Sequence, residues 1–158
     1  MKSKEEDLLN SGCENVRKDS FDLYGSRSNA EQFLPQLSVS QLRQLSPTAL
    51  AYLGDAVYEL YIRRYYLLPP RRVENYHLLV VSQVRAEKQA KMLNLLIPHL
   101  NNNELEIVRR GRNAATGRPK RVDPQTYRQA TSLETLIGYL YLTDTERLSE
   151  LLQKLIIE

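Results

Sequence analysis

From Ser38 onward, apolar residues recur at three- and four-residue intervals and polar residues fill the gaps, which is the period of amphipathic helices. No stretch combines β-branched alternation with hairpin turn signals, so the pattern predicts an all-α domain. Ser46-Pro47 opens the first long helix, with Ser as cap and Pro where its missing N–H costs nothing. That helix is expected to reach about Leu68 and stop at Pro69-Pro70. A second long helix is predicted from Val73 to Ile97, its apolar side made by Leu78, Val81, Val84, Ala86, Met92, Leu95 and Leu96. Asn103 is the expected cap of a shorter helix, "ELEIVRRGRN", and a Gly/Pro-punctuated loop follows from Ala114 to Val122. Asp123-Pro124 opens the helix "QTYRQATSLETLIGYLYL", and Thr143 or Asp144 caps the last one. Residues 1–37 are polar and aperiodic and read as a disordered tail, leaving residues 38–158 as the folded domain.

Composition narrows the class. At 158 residues the chain holds one domain with a full core. No apolar run approaches the length needed to span a bilayer, and "MKSKEEDLLNSG" lacks the apolar core of a signal peptide. The single Cys13 excludes an intramolecular disulfide. A cytoplasmic protein with no membrane association is the simplest expectation. His77 and His99 lie apart, and no Cys/His cluster, Gly-rich phosphate loop or Ser-His-Asp order is visible, which argues against zinc, NTPase and triad chemistry.

Charge is uneven. Residues 1–40 carry five basic and seven acidic side chains, whereas the other 118 carry a net +5. Val108 to Arg128 alone holds seven Lys/Arg against one Asp. Such a segment attracts a polyanion such as nucleic acid, or is simply a solvated loop. Arg85, Lys88 and Lys91 form another stripe, best read as a solvated helix face. Gly111 and Gly117 either admit such a polyanion close to the backbone or make turns. Tyr52, Tyr58, Tyr61, Tyr65 and Tyr66 cannot all enter one core, so some are expected at the core edge or against a partner chain.

Two acids sit in apolar helical surroundings: Asp55 in "LAYLGDAVYEL" and Glu134 in "ATSLETLIGYLYL". Carboxylates from two helices converging in a bundle can bind a hard cation, and Mg²⁺ needs only one or two of them because it keeps several waters. Pairing with Arg63, Arg64 or Arg128 is the alternative.

At these two helices the sequence resembles the ribonuclease III endonuclease domain, and more narrowly the Mini-III ribonucleases, through "YLGDAVYE", "RRGRNA" and "TYRQATSLETLIGYLYL". The resemblance runs from about Leu45 to the end, where no double-stranded-RNA-binding domain is expected. It implies a ribonuclease III-like helical bundle acting as a homodimer on double-stranded RNA. Cleavage would leave 5′-phosphate and 3′-hydroxyl ends, with precursor large-subunit (23S) ribosomal RNA as substrate and a ribosomal protein as a conceivable auxiliary. It assigns metal ligation and catalysis to Asp55 and metal ligation to Glu134, with Mg²⁺ as cofactor and Mn²⁺ as substitute. Two further acids of the longer enzymes are absent, Ala51 and Thr131 standing in their places, which matches the Mini-III subgroup and leaves a second metal without protein ligands. RNA binding is expected from Arg109, Arg110, Arg112, Asn113, Arg118, Lys120 and Arg121. The rival readings are a non-catalytic RNA-binding or ribosome-associated helical protein and a helical DNA-binding regulator.

Overall fold

The computed structural model describes residues 37–117 and 121–155. The tail expected over residues 1–37 lies, but for Leu37, outside them. The described residues form α1 (Val39–Gln44), α2 (Pro47–Tyr65), α3 (Val73–Val84), α4 (Ala86–Leu96), a 3₁₀ turn (Ile97–His99), α5 (Asn102–Ala114), α6 (Pro124–Thr143) and α7 (Thr145–Gln153). The fold is all-α, as the periodicity predicts.

Local capping chemistry sets most helix starts. Ser46 Oγ accepts from Ala49 N (3.1 Å) ahead of Pro47, and Asp123 Oδ2 accepts from Thr126 N (3.0 Å) ahead of Pro124. Asp144, rather than Thr143, caps α7 by accepting from Arg147 N (2.9 Å). Three boundaries differ from expectation. The first long helix ends at Tyr65, about three residues before the expected stop. Asn101, not Asn103, caps α5, because Glu104 three residues on returns the bond to Asn101 N (2.9 Å) and closes a capping box. The predicted second long helix is two helices, broken at Arg85, whose extended backbone (φ −68°, ψ 146°) ends α3 and begins α4. No Gly or Pro marks that break. It allows α3 to lie against α2 while α4 lies against α6.

Helix α6 is the centre of the bundle and touches α2, α4, α5 and α7. Leu133, Leu136, Ile137 and Leu140 on α6 pack with Tyr58 and Ile62 of α2, Met92, Leu93 and Leu96 of α4, Ile107 of α5, and Leu148, Leu151 and Leu152 of α7. The tyrosines of the first long helix divide. Tyr58 is in the core, Tyr61 at its edge donates to Leu152 O (3.1 Å), and Tyr52 and Tyr65 are exposed. Glu104, 2% exposed, is held by Arg147 (Nε–Oε1 2.8 Å), which also donates to His99 O (2.7 Å). That pair fastens α5 and the 3₁₀ turn to α7.

Two glycines bring α2 and α6 into backbone contact. A Cβ on Gly54 would stand 1.8 Å from Glu134 O, and one on Gly138 would stand 2.0 Å from Leu50 O. Each glycine therefore receives a carbonyl from the facing helix, and any side chain would drive the helices apart. Gly117 differs, since its nearest obstacle is the far end of the Tyr127 side chain, at 2.7 Å. Gly138→Ala is expected to cost about 3 kcal/mol of unfolding free energy, at the upper end of overpacking penalties, whereas Gly117→Ala stays near wild type. Urea titration of the two variants checks this, and equal midpoints would contradict it.

Candidate active site

The glycine crossing also places the acids. Gly54 immediately precedes Asp55, and the carbonyl it receives is that of Glu134. The two carboxylates are close enough for the charge on Asp55 to act on Glu134. Desolvation first, and Asp55 second, raise the Glu134 carboxyl from its ordinary 4.5 to about 7, with only Gln89 on α4 favouring the ionised form. Asp55, on the exposed side of α2, is raised in the same direction by partial desolvation and then by Glu59 one turn along. Glu59 is itself engaged by Arg63, so that arginine is committed away from Asp55. Among the described residues neither Asp55 nor Glu134 has an ion-pair partner.

Helix α5 lies on α6 beside this pair. Gly111 is a helical contact residue, since a Cβ there would meet Thr135 Oγ1 at 2.4 Å and Ser132 Cα at 3.1 Å. It makes no turn, and no described glycine has a positive φ. The close seat sets the "RRGRN" segment against the stretch of α6 that carries Glu134. Arg109, Arg110, Arg112 and Asn113 are thus on the last turns of α5 rather than in a loop. All four are exposed, but Arg109 is paired to Glu106 (2.6 Å). Arg112 and Asn113 line a cavity of about 810 Å³ with Thr116, Gly117, Pro124 and Arg128. Arg121 is exposed past the loop, and Arg118 and Lys120 lie outside the described residues.

Two residues of this neighbourhood were not legible as site candidates. Arg128 is one turn inside α6 and joins the cavity only through the α5–α6 packing. Gln89 is buried at the level of Glu134, and its one signal is a polar residue on the apolar stripe it shares with Met92, Leu93 and Leu96. Ala51 and Thr131, where the longer enzymes carry acids, are both buried.

The donor set is compatible with a hard divalent cation. Two carboxylates from different helices converge with no ion-pair partner among the described residues, and burial, then Asp55, disfavours the charged form of Glu134. Among the described residues no group of three or more His, Cys, Asp or Glu could hold a metal, so a cation here would keep most of its waters, as Mg²⁺ does.

A family model for the Ribonuclease III domain matches residues 48–145, which contain both carboxylates and the whole basic segment. The chain belongs to the ribonuclease III family. Mini-ribonuclease 3 from Synechocystis sp. is 60% identical over 111 residues, covering 70% of this chain and 78% of that protein. Mini-ribonuclease 3 from Synechococcus sp. is 56% identical over 120 residues, covering 76% and 87% respectively. A crystal structure of protein FN1578 from Fusobacterium nucleatum superposes with a TM-score of 0.66 at 31% identity, over 70% of this chain and 93% of that one. Family and relatives make the protein a ribonuclease of the Mini-III type. Among the described residues no helix is long and apolar enough to cross a membrane.

The raised Glu134 carboxyl has a consequence for stability. Between 4.5 and about 7 the native chain holds a proton that the unfolded chain has lost. Stability from this group is therefore full at low pH and declines as pH rises through that window, by roughly 3 kcal/mol at most. Melting temperature measured in EDTA from about pH 5 to about pH 8 should fall, and Glu134→Gln should remove most of the slope. Divalent cation should restore stability at the alkaline end. A profile that is the same in wild type and Glu134→Gln would contradict the geometry.

Proposed function

We propose that the protein is a Mg²⁺-dependent endoribonuclease that cuts double-stranded RNA to 5′-phosphate and 3′-hydroxyl ends, with Mn²⁺ able to substitute. Residues 38–158 are its catalytic domain, and its natural substrate is the precursor of large-subunit (23S) ribosomal RNA in the cytoplasm. The observation that carries this reading is the uncompensated Asp55–Glu134 pair set against a basic helix end. When bound, Mg²⁺ would stabilise charge on the phosphoryl oxygens and make a bound water easier to deprotonate for attack. Asp55 and Glu134 hold that cation between α2 and α6. Arg112 and Arg128, with Asn113, offer a basic surface for phosphates of the duplex, and Arg110, exposed near the end of α5, adds a further cation.

Duplex RNA presents shape, phosphates and 2′-hydroxyls rather than readable major-groove edges, so a basic shelf is the appropriate recognition element. A homodimer brings two such sites to the two strands. The exposed apolar residues Tyr52 and Leu60 on α2, with Leu67, Leu68 and Val73 in the turn after it and at the start of α3, supply surface for that contact.

Asp55→Asn should lower cleavage of a structured RNA duplex by on the order of 10³-fold while leaving duplex affinity and melting temperature close to wild type. Near-normal cleavage would mean that another acid does the chemistry. Equal RNA integrity with Mg²⁺ and with EDTA would instead favour a non-catalytic RNA-binding protein, the reading that Ala51 and Thr131 motivate. In the binding step, Arg110→Ala with Arg112→Ala should reduce the salt slope by about two, one for each lost phosphate contact. Arg109→Ala should change it less, because Glu106 already occupies that guanidinium. An unchanged slope in the double variant would return the segment to a solvated surface.

A further inference from the structure

We propose that Gln89 is a positioning residue of the active site, its side-chain amide holding the Glu134 carboxylate in the orientation that ligates the cation. The proposal rests on the reading of Asp55 and Glu134 as a metal site and goes beyond it.

Four observations carry it. First, α4 and α6 pack with Gln89 level with Glu134. The same register brings Asn94 to Gln129, whose Nε2 donates to Asn94 Oδ1 (3.3 Å). Second, Gln89 is 2% exposed, yet its Nε2 closes no hydrogen bond of ordinary geometry. A buried amide without a partner is rare and costly, and the apolar residues that share its stripe would fill the space without that cost. Third, the hydroxyls flanking Glu134 on α6 are already committed. Ser132 donates to Arg128 O (2.7 Å) and Thr135 to Thr131 O (2.7 Å). Neither serves the carboxylate or the amide. Fourth, a hydrogen bond from Gln89 favours ionised Glu134 against burial and Asp55.

The geometry gives the amide a defined task. One oxygen of Glu134 would accept from Gln89 Nε2, leaving the other free to ligate the cation with Asp55. Fixing the rotamer in advance removes an ordering cost from cation binding, which is how partners behind a ligand raise metal affinity elsewhere.

The test uses Gln89→Met, which keeps the volume and removes the donor, with Gln89→Leu as a second apolar variant. Mn²⁺ affinity is measured by calorimetry on the full chain without RNA, beside melting temperature in EDTA. Both variants should bind Mn²⁺ about 10- to 100-fold more weakly than wild type. Their melting temperature in EDTA should be equal or higher, since an unsatisfied buried amide is gone. Cleavage should recover toward the wild-type kcat at high Mn²⁺, so that the defect lies in the metal requirement. Wild-type Mn²⁺ affinity in the variants overturns the proposal, and a lowered melting temperature with unchanged affinity makes Gln89 a packing residue. If Asp55→Asn binds Mn²⁺ as tightly as wild type, the metal-site reading itself is wrong and the proposal falls with it.

Discussion

The structure depends on the contact between the backbones of α2 and α6, made possible by Gly54 and Gly138. Each glycine takes a carbonyl of the facing helix, Gly54 that of Glu134 and Gly138 that of Leu50, so the crossing is reciprocal and leaves no room for adjustment. Its functional content follows from the neighbours of those glycines in sequence. Asp55 is the next residue after Gly54, and Glu134 is one turn before Gly138. The close crossing therefore forces two carboxylates together, and the same packing desolvates both, Glu134 more than Asp55. Gly111 repeats the device between α5 and α6, and through it the basic end of α5 is held beside the acids. Three small residues thus convert a helical bundle into a site with opposed charge zones.

Two acids with low exposure show how environment separates scaffold from chemistry. Glu104 is nearly fully buried, but Arg147 and its own cap bond to Asn101 hold its carboxyl below the ordinary range. It is satisfied and has nothing left to offer a ligand. Glu134 is less buried and has no ion-pair partner among the described residues, so desolvation and Asp55 raise its carboxyl to about 7. An added positive charge has little to gain at Glu104 and much to gain at Glu134. This difference, rather than burial alone, is what makes Glu134 and not Glu104 the candidate ligand.

How far the sequence shows all this varies with the range of the interaction. Helix starts set by Ser46-Pro47, Asp123-Pro124 and Asp144 are local, and were readable from the residues. The break at Arg85 is not, because it arises from α3 and α4 packing on different helices. Asn101 takes the cap of α5 from Asn103 because of Glu104, a competition that only the reciprocal bond decides. The acids Asp55 and Glu134 stood out against apolar surroundings and through the family motifs. Gln89 and Arg128 did not, since each joins the neighbourhood only through contacts between elements, and a polar residue on a helix carries no sign of which side is wet.

The central claim is that α2 and α6 cross so closely in order to give one divalent cation two protein carboxylates. Anomalous diffraction from crystals soaked in Mn²⁺ tests it most directly. The account predicts a peak between the helices, with oxygens of both Asp55 and Glu134 at about 2 Å and the remaining positions filled by water. A peak bound by one of them alone and bridged elsewhere, or none at a Mn²⁺ concentration that supports cleavage, would contradict it.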